Sequence, residues 1–339
     1  MRKIKIFIFK ILKIVGVFNL TLFLTRKKLR IFCYHGLSYE DEHLFIPSLF
    51  IAQDTFLRRM KILKKYNINV LKLNDAHEKN IRAEINKPSA VLTFDDGFIS
   101  TFELALPILE EYSYDSTIYI TSYYQKYQNP IFRLAVRYFF WKKKPTRELV
   151  KKLDLPVKNH KMWEIIKYGE TELKENERQE LLEKIRITFG VEISKNLESK
   201  FMKLDTNKNI LEAYKNGVDI QLHTHRHRLP IEREQCEKEI LENKAYLKEL
   251  LGVELDHFCY PSGIWSPEHL PILKDLGVKT ATTCDPALIN PSTDPLAYPR
   301  FLDSDEKTDI EFEADLCGIT HILVVLKELV GINTKTTTY

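Results

Sequence analysis

Three histidines lie within five residues of the segment GVDIQLHTHRHRLP, namely His223, His225 and His227. Imidazole nitrogens are common ligands of transition metals, so this spacing predicts a metal site. Two imidazoles and one carboxylate suit Zn²⁺, and Fe²⁺, Co²⁺ and Ni²⁺ accept the same donors. Coordination lowers the pKa of a bound water molecule to about 7, which would supply a nucleophile at neutral pH. The third histidine is then a spectator or a hydrogen-bond partner.

Two adjacent carboxylates, Asp95 and Asp96, offer the missing ligand and a base. They follow a predicted buried strand in the segment PSAVLTFDDGFIS. In a regular strand the two side chains would face opposite ways, whereas a turn at Gly97 allows one to reach a metal and the other to point past it. An ordinary surface turn is the alternative, because Asp-Asp-Gly is also common in such turns.

The elements that must position these groups are parallel strands. Polar residues 95–97, 223–227 and 260–263 each follow a predicted strand, and functional groups gather at the carboxyl edge of a parallel sheet. In VDIQLH, apolar and polar residues alternate, so His223 projects from the face opposite the aliphatic side chains. That face is the predicted polar interior of a barrel.

Strand and helix signals alternate on both sides of a lysine- and glutamate-rich stretch at about 124–204. Predicted strands include LRIFCYHGL, VLKLND, STIYIT and KTATTC, with helical periodicity between them. This rhythm predicts an α/β fold with parallel strands, either a barrel or an open doubly wound sheet. The lysine-rich stretch is a predicted helical insertion, either a lid or docking surface or a solvated decoration.

Composition excludes several classes of protein. The chain has 339 residues, 44% of them hydrophobic, which is ample for a core and argues against disorder. Its 51 basic and 47 acidic residues nearly balance, so no nucleic-acid partner is expected. The five cysteines are scattered without a C-x-x-C pair, which favours a reducing compartment over a disulfide framework.

Residues 1–28 are predicted to form a basic amphipathic helix. Lys10 and Lys13 interrupt the apolar run and no small-residue cleavage site follows, so a signal peptide is disfavoured. Lysines on one face and Ile, Phe and Leu on the other are typical of a helix lying in a bilayer interface. A helix that packs on the core with a solvated lysine face is the alternative. We therefore expect a cytoplasmic protein, peripheral at the inner face of the membrane if the first reading holds.

Together and in this order, the motifs resemble those of the polysaccharide deacetylase family, the NodB-homology enzymes of carbohydrate esterase family 4. TFDDG matches the first motif of that family and HTHRH fits the second, H-[S/T]-x-x-H. YPSG, at 260–263, is similar to the third motif in the subgroup related to bacterial poly-N-acetylglucosamine deacetylases, which also begins with a Tyr-His strand like Tyr34-His35. The resemblance covers about 29–303.

The resemblance implies a fold, a reaction and a set of roles. The fold is a distorted (β/α) barrel of about seven parallel strands, here at 29–320, with a C-terminal tail at 321–339. The reaction is hydrolysis of an N-acetyl group on an amino sugar. Asp95 is the implied general base, and the implied metal ligands are Asp96, His223 and His227. His225 matches a variable position.

The sequence departs from the family pattern in two places. Many members carry an arginine in the third motif that orients the base, whereas this chain has Cys259-Tyr260 there. Arg300 could supply the charge from a later strand, with a surface salt bridge as the alternative. The general acid of the last motif has one late candidate, His321, in an apolar run that suggests a packed helix. The predicted substrate-binding residues are His35, Tyr260, Pro261, Ser262 and Arg300, with a backbone N–H near Ser262 for the oxyanion.

Three functions fit these residues. The first is deacetylation of an amino-sugar glycan or glycolipid in a cell-surface polysaccharide or its precursor. The second is a deformylase or deacetylase of a lipid-linked or nucleotide-linked sugar. The third is a non-catalytic glycan-binding protein, which would not need all four of Asp95, Asp96, His223 and His227. A non-haem Fe²⁺ oxygenase is disfavoured because TFDDG lacks the usual H-x-[D/E] spacing.

Overall fold

The computed structural model describes residues 2–329, which form ten strands and seventeen α-helices. The strands are β1 (Leu29–Tyr34), β2 (Gly36–Ser38), β3 (Phe50–Ala52), β4 (Asn69–Val70), β5 (Ser89–Phe94), β6 (Thr117–Ile120), β7 (Asp219–Leu222), β8 (His257–Cys259), β9 (Thr280–Thr282) and β10 (Phe301–Leu302). Strands β2 and β3 pair with each other, and the other eight form the main sheet.

The main sheet has the order β10-β1-β5-β6-β7-β8-β9, and the short β4 pairs with the start of β5. Every pairing in it is parallel. Seven parallel strands curl into a half-barrel surrounded by helices, which confirms the predicted distorted (β/α) barrel. All carboxyl ends therefore meet at one rim.

An irregular segment between β9 and β10 lies along the open side of the barrel. Thr283 N–H donates to the Tyr298 carbonyl at 2.9 Å, and Tyr298 N–H donates to the Ala281 carbonyl at 2.8 Å. Leu29 and Ile289 exchange two backbone hydrogen bonds of 2.9 Å each. The segment thus hydrogen-bonds to β9 and to the start of β1, without a direct β9–β10 pair among the described residues.

Side chains alternate between the barrel interior and the outer helices. Ile31, Val91 and Tyr119 belong to the inner cluster, whereas Ile220 and Leu222 belong to the core between the sheet and its helices. The residues that alternate with Ile220 and Leu222 therefore face inward. This is the predicted orientation of His223.

The helices are α1 (Arg2–Ile14), α2 (Val17–Leu24), α3 (Glu42–Phe45), α4 (Gln53–Lys65), α5 (Leu73–Ile81), α6 (Leu106–Glu111), α7 (Ser122–Tyr127), α8 (Phe132–Lys143), α9 (Arg147–Lys151), α10 (Met162–Glu172), α11 (Glu175–Phe189), α12 (Lys195–Glu198), α13 (Asn207–Lys215), α14 (Arg233–Leu251), α15 (His269–Asp275), α16 (Asp309–Leu316) and α17 (Ile319–Leu329). A π-helical turn, Thr101–Ala105, precedes α6. Of the predicted tail 321–339, residues 321–329 belong to α17, and 330–339 lie outside the described residues.

The chain divides into two compact units. The first combines the described residues up to Ser122 with those from Asn207 onward and contains the sheet. The second, Tyr123–Thr206, is helical, and its core includes a stacked pair, Phe139 and Phe201, with ring centroids 5.7 Å apart. Helices α8, α10 and α11 pack on one another within it.

The predicted strand VLKLND is wrong beyond its first residue. Only Asn69–Val70 is extended, and α5 begins at Leu73. Leu73, Ala76 and Asn80 are buried along one face of that helix. The apolar residues that suggested a strand are therefore followed by residues at helical spacing.

Within the described residues, no single helix is long and apolar enough to cross a bilayer. The pair α1 and α2 together has the required length and composition, but the two helices meet at an 80° bend. The bend lies at Val15-Gly16, where Gly16 has a φ of 79°.

Candidate metal and catalytic site

Asp96, His223 and His227 form a compact group at the carboxyl rim of the barrel, here called the ligand triangle. The Nε2 atoms of His223 and His227 each lie 3.3 Å from Asp96 Oδ1. The three donor atoms lie within 4.8 Å of one another. Asp96 follows β5 and His223 follows β7, so two strands that flank β6 deliver the groups.

Three residues with left-handed backbone conformation bend the loops after β5 and β7 toward each other. Asp96 has a φ of 71°, Thr224 a φ of 62° and His227 a φ of 53°. Such values are uncommon for residues with a side chain and gather at functional sites. A Cβ at Gly97, where φ is 88°, would lie 2.6 Å from Ile120 Cδ1, so glycine is required after the two aspartates.

The ring orientation of His223 leaves one nitrogen directed at Asp96. Its Nδ1 lies 2.9 Å from the Cys259 carbonyl oxygen, which can only accept, so Nδ1 carries the proton. A cation bound at the ligand triangle would therefore take the lone pair of Nε2. The backbone N–H of His223 donates to Asn243 Oδ1 at 3.0 Å, which holds the end of β7 against α14.

His225 turns away from the ligand triangle. Its Nδ1 lies 2.8 Å from Ser122 Oγ, its Nε2 lies 3.7 Å from Glu242 Oε2, and its N–H donates to the Glu239 carbonyl. The buried Glu239 carboxylate also accepts from Arg226 N–H at 2.8 Å and from Arg228 Nε at 2.8 Å. Helix α14 therefore anchors the histidine loop.

The ligand triangle fits a divalent cation. Asp96 Oδ1 is buried, yet it accepts no hydrogen bond from the residues that the structure describes. A buried carboxylate oxygen without a partner is costly unless a cation completes it. Burial opposes ionisation of Asp96, but the neighbouring imidazoles of His227, His223 and His35 together outweigh it and lower the pKa of Asp96 to about 2. Carboxylate and imidazole donors suit Zn²⁺, Co²⁺, Ni²⁺ and Fe²⁺ alike.

Asp95 lies outside the triangle in a bidentate ion pair with Arg300. Arg300 Nη1 donates to Asp95 Oδ1 at 2.7 Å, and Nη2 donates to Oδ2 at 2.8 Å. Both residues are buried, so Arg300 does not form the surface salt bridge considered as the alternative. Burial alone would raise the pKa of Asp95, but the charge and hydrogen bonds of Arg300 hold it well below its usual range. Asp95 is therefore ionised and fixed in direction.

Replacement of Arg300 by methionine is expected to lower both stability and activity. Asp95 would be left as a buried carboxylate without its cation, which typically costs about 3–5 kcal/mol. Thermal unfolding measures the first effect and acetate release from an acetylated amino-sugar oligomer the second. Arg59→Met is the matched control, because it breaks an equally buried pair, Arg59 with Asp303. The control should lose stability but keep its turnover, and equal loss of turnover in both variants would contradict a specific role of Arg300.

Two thiols and one imidazole surround the same carboxylate. The Cys33 and Cys259 thiols donate to Asp95 Oδ2 at 3.5 and 3.3 Å, and His35 Nε2 lies 4.0 Å from that oxygen. Cys259 lies in the third motif, where the resemblance led us to expect an arginine, and Arg300 Nη2 lies 3.1 Å from its sulfur. His35 is partly exposed and so faces the rim.

The third motif turns away from β8 in a short 3₁₀ helix, Pro261–Gly263. Ser262 is exposed with a φ of 57°, whereas Tyr260 and Pro261 are buried. The Tyr260 hydroxyl donates to the Leu296 carbonyl at 2.8 Å. The buried tyrosine side chain therefore has a structural contact with the segment between β9 and β10. The role of the YPSG backbone in holding an oxyanion stays a prediction.

His321 lies in α17, as the apolar run predicted. Leu288 N–H approaches its Nδ1 at 3.4 Å, and Lys28 Nζ lies 3.2 Å from its Nε2. These contacts are to residues outside the ligand triangle. The general acid therefore stays without an assigned residue.

Asn243 is a supporting residue that the sequence analysis missed. Its amide also donates to the Ile120 carbonyl at 3.0 Å and to Ser122 Oγ at 2.9 Å, which ties the ends of β6 and β7 together. A signal was present, because Asn243 shares the buried face of α14 with Cys236, Ile240 and Leu247 at helical spacing. A polar residue on an apolar face needs a buried partner.

The family comparison agrees with this geometry. The family model described as "Polysaccharide deacetylase" matches residues 181–281, which include the histidine loop and the YPSG turn. Over these residues the chain is similar to polysaccharide deacetylases, and the match covers less than half of its length. No curated protein sequence matches the chain.

Solved structures of low sequence identity share the fold of this chain. The Streptococcus pyogenes deacetylase PplD is 17% identical with a TM-score of 0.58, over 85% of this chain and 98% of that one. IcaB from Ammonifex degensii is 16% identical with a TM-score of 0.56, over 86% and 97%. A de-N-acetylase from Aggregatibacter actinomycetemcomitans is 14% identical with a TM-score of 0.55, over 85% and 99%.

Proposed function

We propose that this chain is a metal-dependent N-deacetylase of an amino sugar in a cell-surface polysaccharide or its biosynthetic precursor. The observation that carries the proposal is the pairing of the ligand triangle with a second carboxylate, Asp95, that Arg300 holds outside it. A binding protein needs neither an oriented base nor a buried carboxylate oxygen without a partner.

Each group has a distinct task in this proposal. Asp96, His223 and His227 would hold the divalent ion, for which we favour Zn²⁺. When bound, such an ion would polarise the acetyl carbonyl and make a water molecule more acidic. Asp95 accepts a proton from the attacking water, whose oxygen forms a bond to the carbonyl carbon. The carbon–nitrogen bond then breaks, acetate leaves, and the sugar amine takes up a proton.

Arg300 acts as a positioning residue for this base. Its two parallel hydrogen bonds restrict rotation of the Asp95 carboxylate. The Cys33 and Cys259 thiols add donors to Oδ2, so Oδ1 and Oδ2 differ in their surroundings. His35 and Ser262 lie at partly or fully exposed positions from which a sugar can be contacted.

The substrate class is proposed from the motifs. YPSG and the Tyr34-His35 strand resemble the subgroup related to poly-N-acetylglucosamine deacetylases, which favours an N-acetylated glucosamine polymer or its precursor. The fold that the chain shares with a protein described as a de-N-acetylase also supports removal of an N-acetyl group.

Acetate release tests the proposal. The full chain would be incubated with acetylated glucosamine oligomers, a lipid-linked acetamido sugar and a nucleotide-linked acetamido sugar. We expect acetate from at least one of them, loss of release after chelation, and recovery when Zn²⁺ or Co²⁺ is added.

Other outcomes would contradict it in different ways. Release of formate from a formylated sugar without acetate release would favour the deformylase. Metal binding without any released acid, across all three substrates, would favour a glycan-binding protein. Acetate release that persists in the fully metal-free protein would overturn the metal dependence.

A further inference from the structure

Helix α1 turns its apolar stripe away from the protein. Ile4, Phe7, Ile8 and Ile11 follow helical spacing on one face, and Phe7 is 64% exposed. After the bend at Gly16, helix α2 likewise exposes Leu20, Phe23 and Leu24. Apolar surface in water is unfavourable, and contiguous exposed patches of this kind mark interaction sites.

The opposite face of α1 fixes this orientation. Phe9 is buried and packs edge to face on Phe18, with ring centroids 6.3 Å apart. Arg2 pairs with Glu311 at 3.0 Å, and Lys13 pairs with Glu313, so both ends of α1 are held on α16. Glu311 and Glu313 are themselves buried. The helix therefore cannot roll its apolar stripe inward without breaking two ion pairs.

Basic side chains surround the apolar stripe. The first 28 residues contain eight lysines and arginines and no aspartate or glutamate. Lys3, Lys5 and Lys10 are exposed along α1, and Lys27 is exposed after α2. An apolar stripe with a lysine border fits the boundary between acyl chains and anionic headgroups.

We propose that α1 and α2 form a docking surface for an anionic lipid bilayer, called here the bilayer surface. The two helices lie along the bilayer interface. Phe7 and Ile11 reach below the headgroups, and the lysines lie at the level of the headgroups. Their 80° bend spreads the apolar side chains over an area instead of a single line. A second copy of the chain is disfavoured as the occupant, because it would bring two all-basic borders together.

Vesicle binding tests the bilayer surface. The full chain would be sedimented with vesicles of phosphatidylcholine alone and of phosphatidylcholine with phosphatidylglycerol at a ratio of about 7:3. We expect binding to the anionic vesicles that weakens as salt is added. Phe7→Ser with Ile11→Ser should lower the partition coefficient about tenfold or more, since two buried apolar side chains are removed.

Matched variants separate the contributions. Trp163→Ser with Ile187→Ser removes two apolar side chains of the second unit that are at least half exposed, and it should leave binding unchanged. Lys3→Glu with Lys10→Glu should lower binding to the anionic vesicles and leave binding to pure phosphatidylcholine vesicles unchanged. Leu20→Ser with Leu24→Ser repeats the apolar test on α2 should the α1 variant fail to fold.

Two results would overturn the proposal. One is equal binding by the wild type, the α1 variant with Phe7→Ser and Ile11→Ser, and the α2 variant with Leu20→Ser and Leu24→Ser. The other is no binding of the wild type to either kind of vesicle. A concentration-dependent dimer that the α1 variant abolishes, without vesicle binding, would assign the surface to a second copy instead. Acetate release from a soluble oligomer is expected to stay unchanged in all these variants. Failure of the bilayer surface is thus distinguishable from failure of the proposed catalysis.

Discussion

Asp95→Asn is expected to reduce kcat for acetate release by about 10²- to 10⁴-fold, the usual contribution of a general base. Asparagine keeps the shape of the side chain but cannot take a proton from water. The ligand triangle does not include Asp95, so the bound metal should be retained. The measurements are initial rates on an acetylated glucosamine oligomer and metal content by elemental analysis.

Stability must be measured beside the rate for this variant. The neutral amide leaves the Arg300 guanidinium buried without its counter-charge, so a lower melting temperature is expected as well. Asp219→Asn is a suitable control, because Asp219 lies on β7 and also faces inward, but its carboxylate accepts hydrogen bonds from Thr117 and Gln221. Turnover that survives in Asp95→Asn at a temperature where the protein is folded would exclude Asp95 as the base.

His227→Ala is expected to release the metal and abolish turnover, whereas His225→Ala keeps both. His227 Nε2 lies 3.3 Å from Asp96 Oδ1, and loss of one ligand of three leaves a site of much lower affinity. His225 contacts Ser122, Glu239 and Glu242 instead. Its removal should cost about 1 kcal/mol of stability through the lost hydrogen bonds.

Metal titration of the two alanine variants decides between the two histidines. Both replace the same side chain within one loop, so each serves as the control for the other. Metal loss in His225→Ala with retention in His227→Ala would show that the ligand assignment is wrong.

Much of the architecture follows from local pattern. The alternation in VDIQLH predicts which side chains of β7 face inward. The apolar run followed by two aspartates in PSAVLTFDDG predicts where β5 ends. Both patterns can be recognised because periodicity depends on neighbouring residues alone. The strand in VLKLND failed for the same reason, since a short apolar run fits both a strand and the start of α5. Parallel order then brings the strand ends to one rim.

The contacts of Asp95 could not be predicted from local sequence patterns. Arg300 precedes β10, which pairs with β1, and β1 pairs with β5, so the contact depends on the strand order across three strands. The sequence offered Arg300 as a candidate and a surface ion pair as its rival, with no means of choosing. The thiol donors Cys33 and Cys259 come from β1 and β8, and nothing in their spacing relates them to Asp95.

The sequence by itself determined the donor types, their positions at the ends of predicted strands, and the basic amphipathic character of residues 1–28. The tertiary structure decided which histidines approach Asp96, that Arg300 reaches Asp95, and that α1 turns its apolar stripe outward. The physical reason is common to all three. Each choice depends on side chains such as Glu239, Asn243 and Glu313 that are distant in the chain and meet only when the helices pack on the sheet.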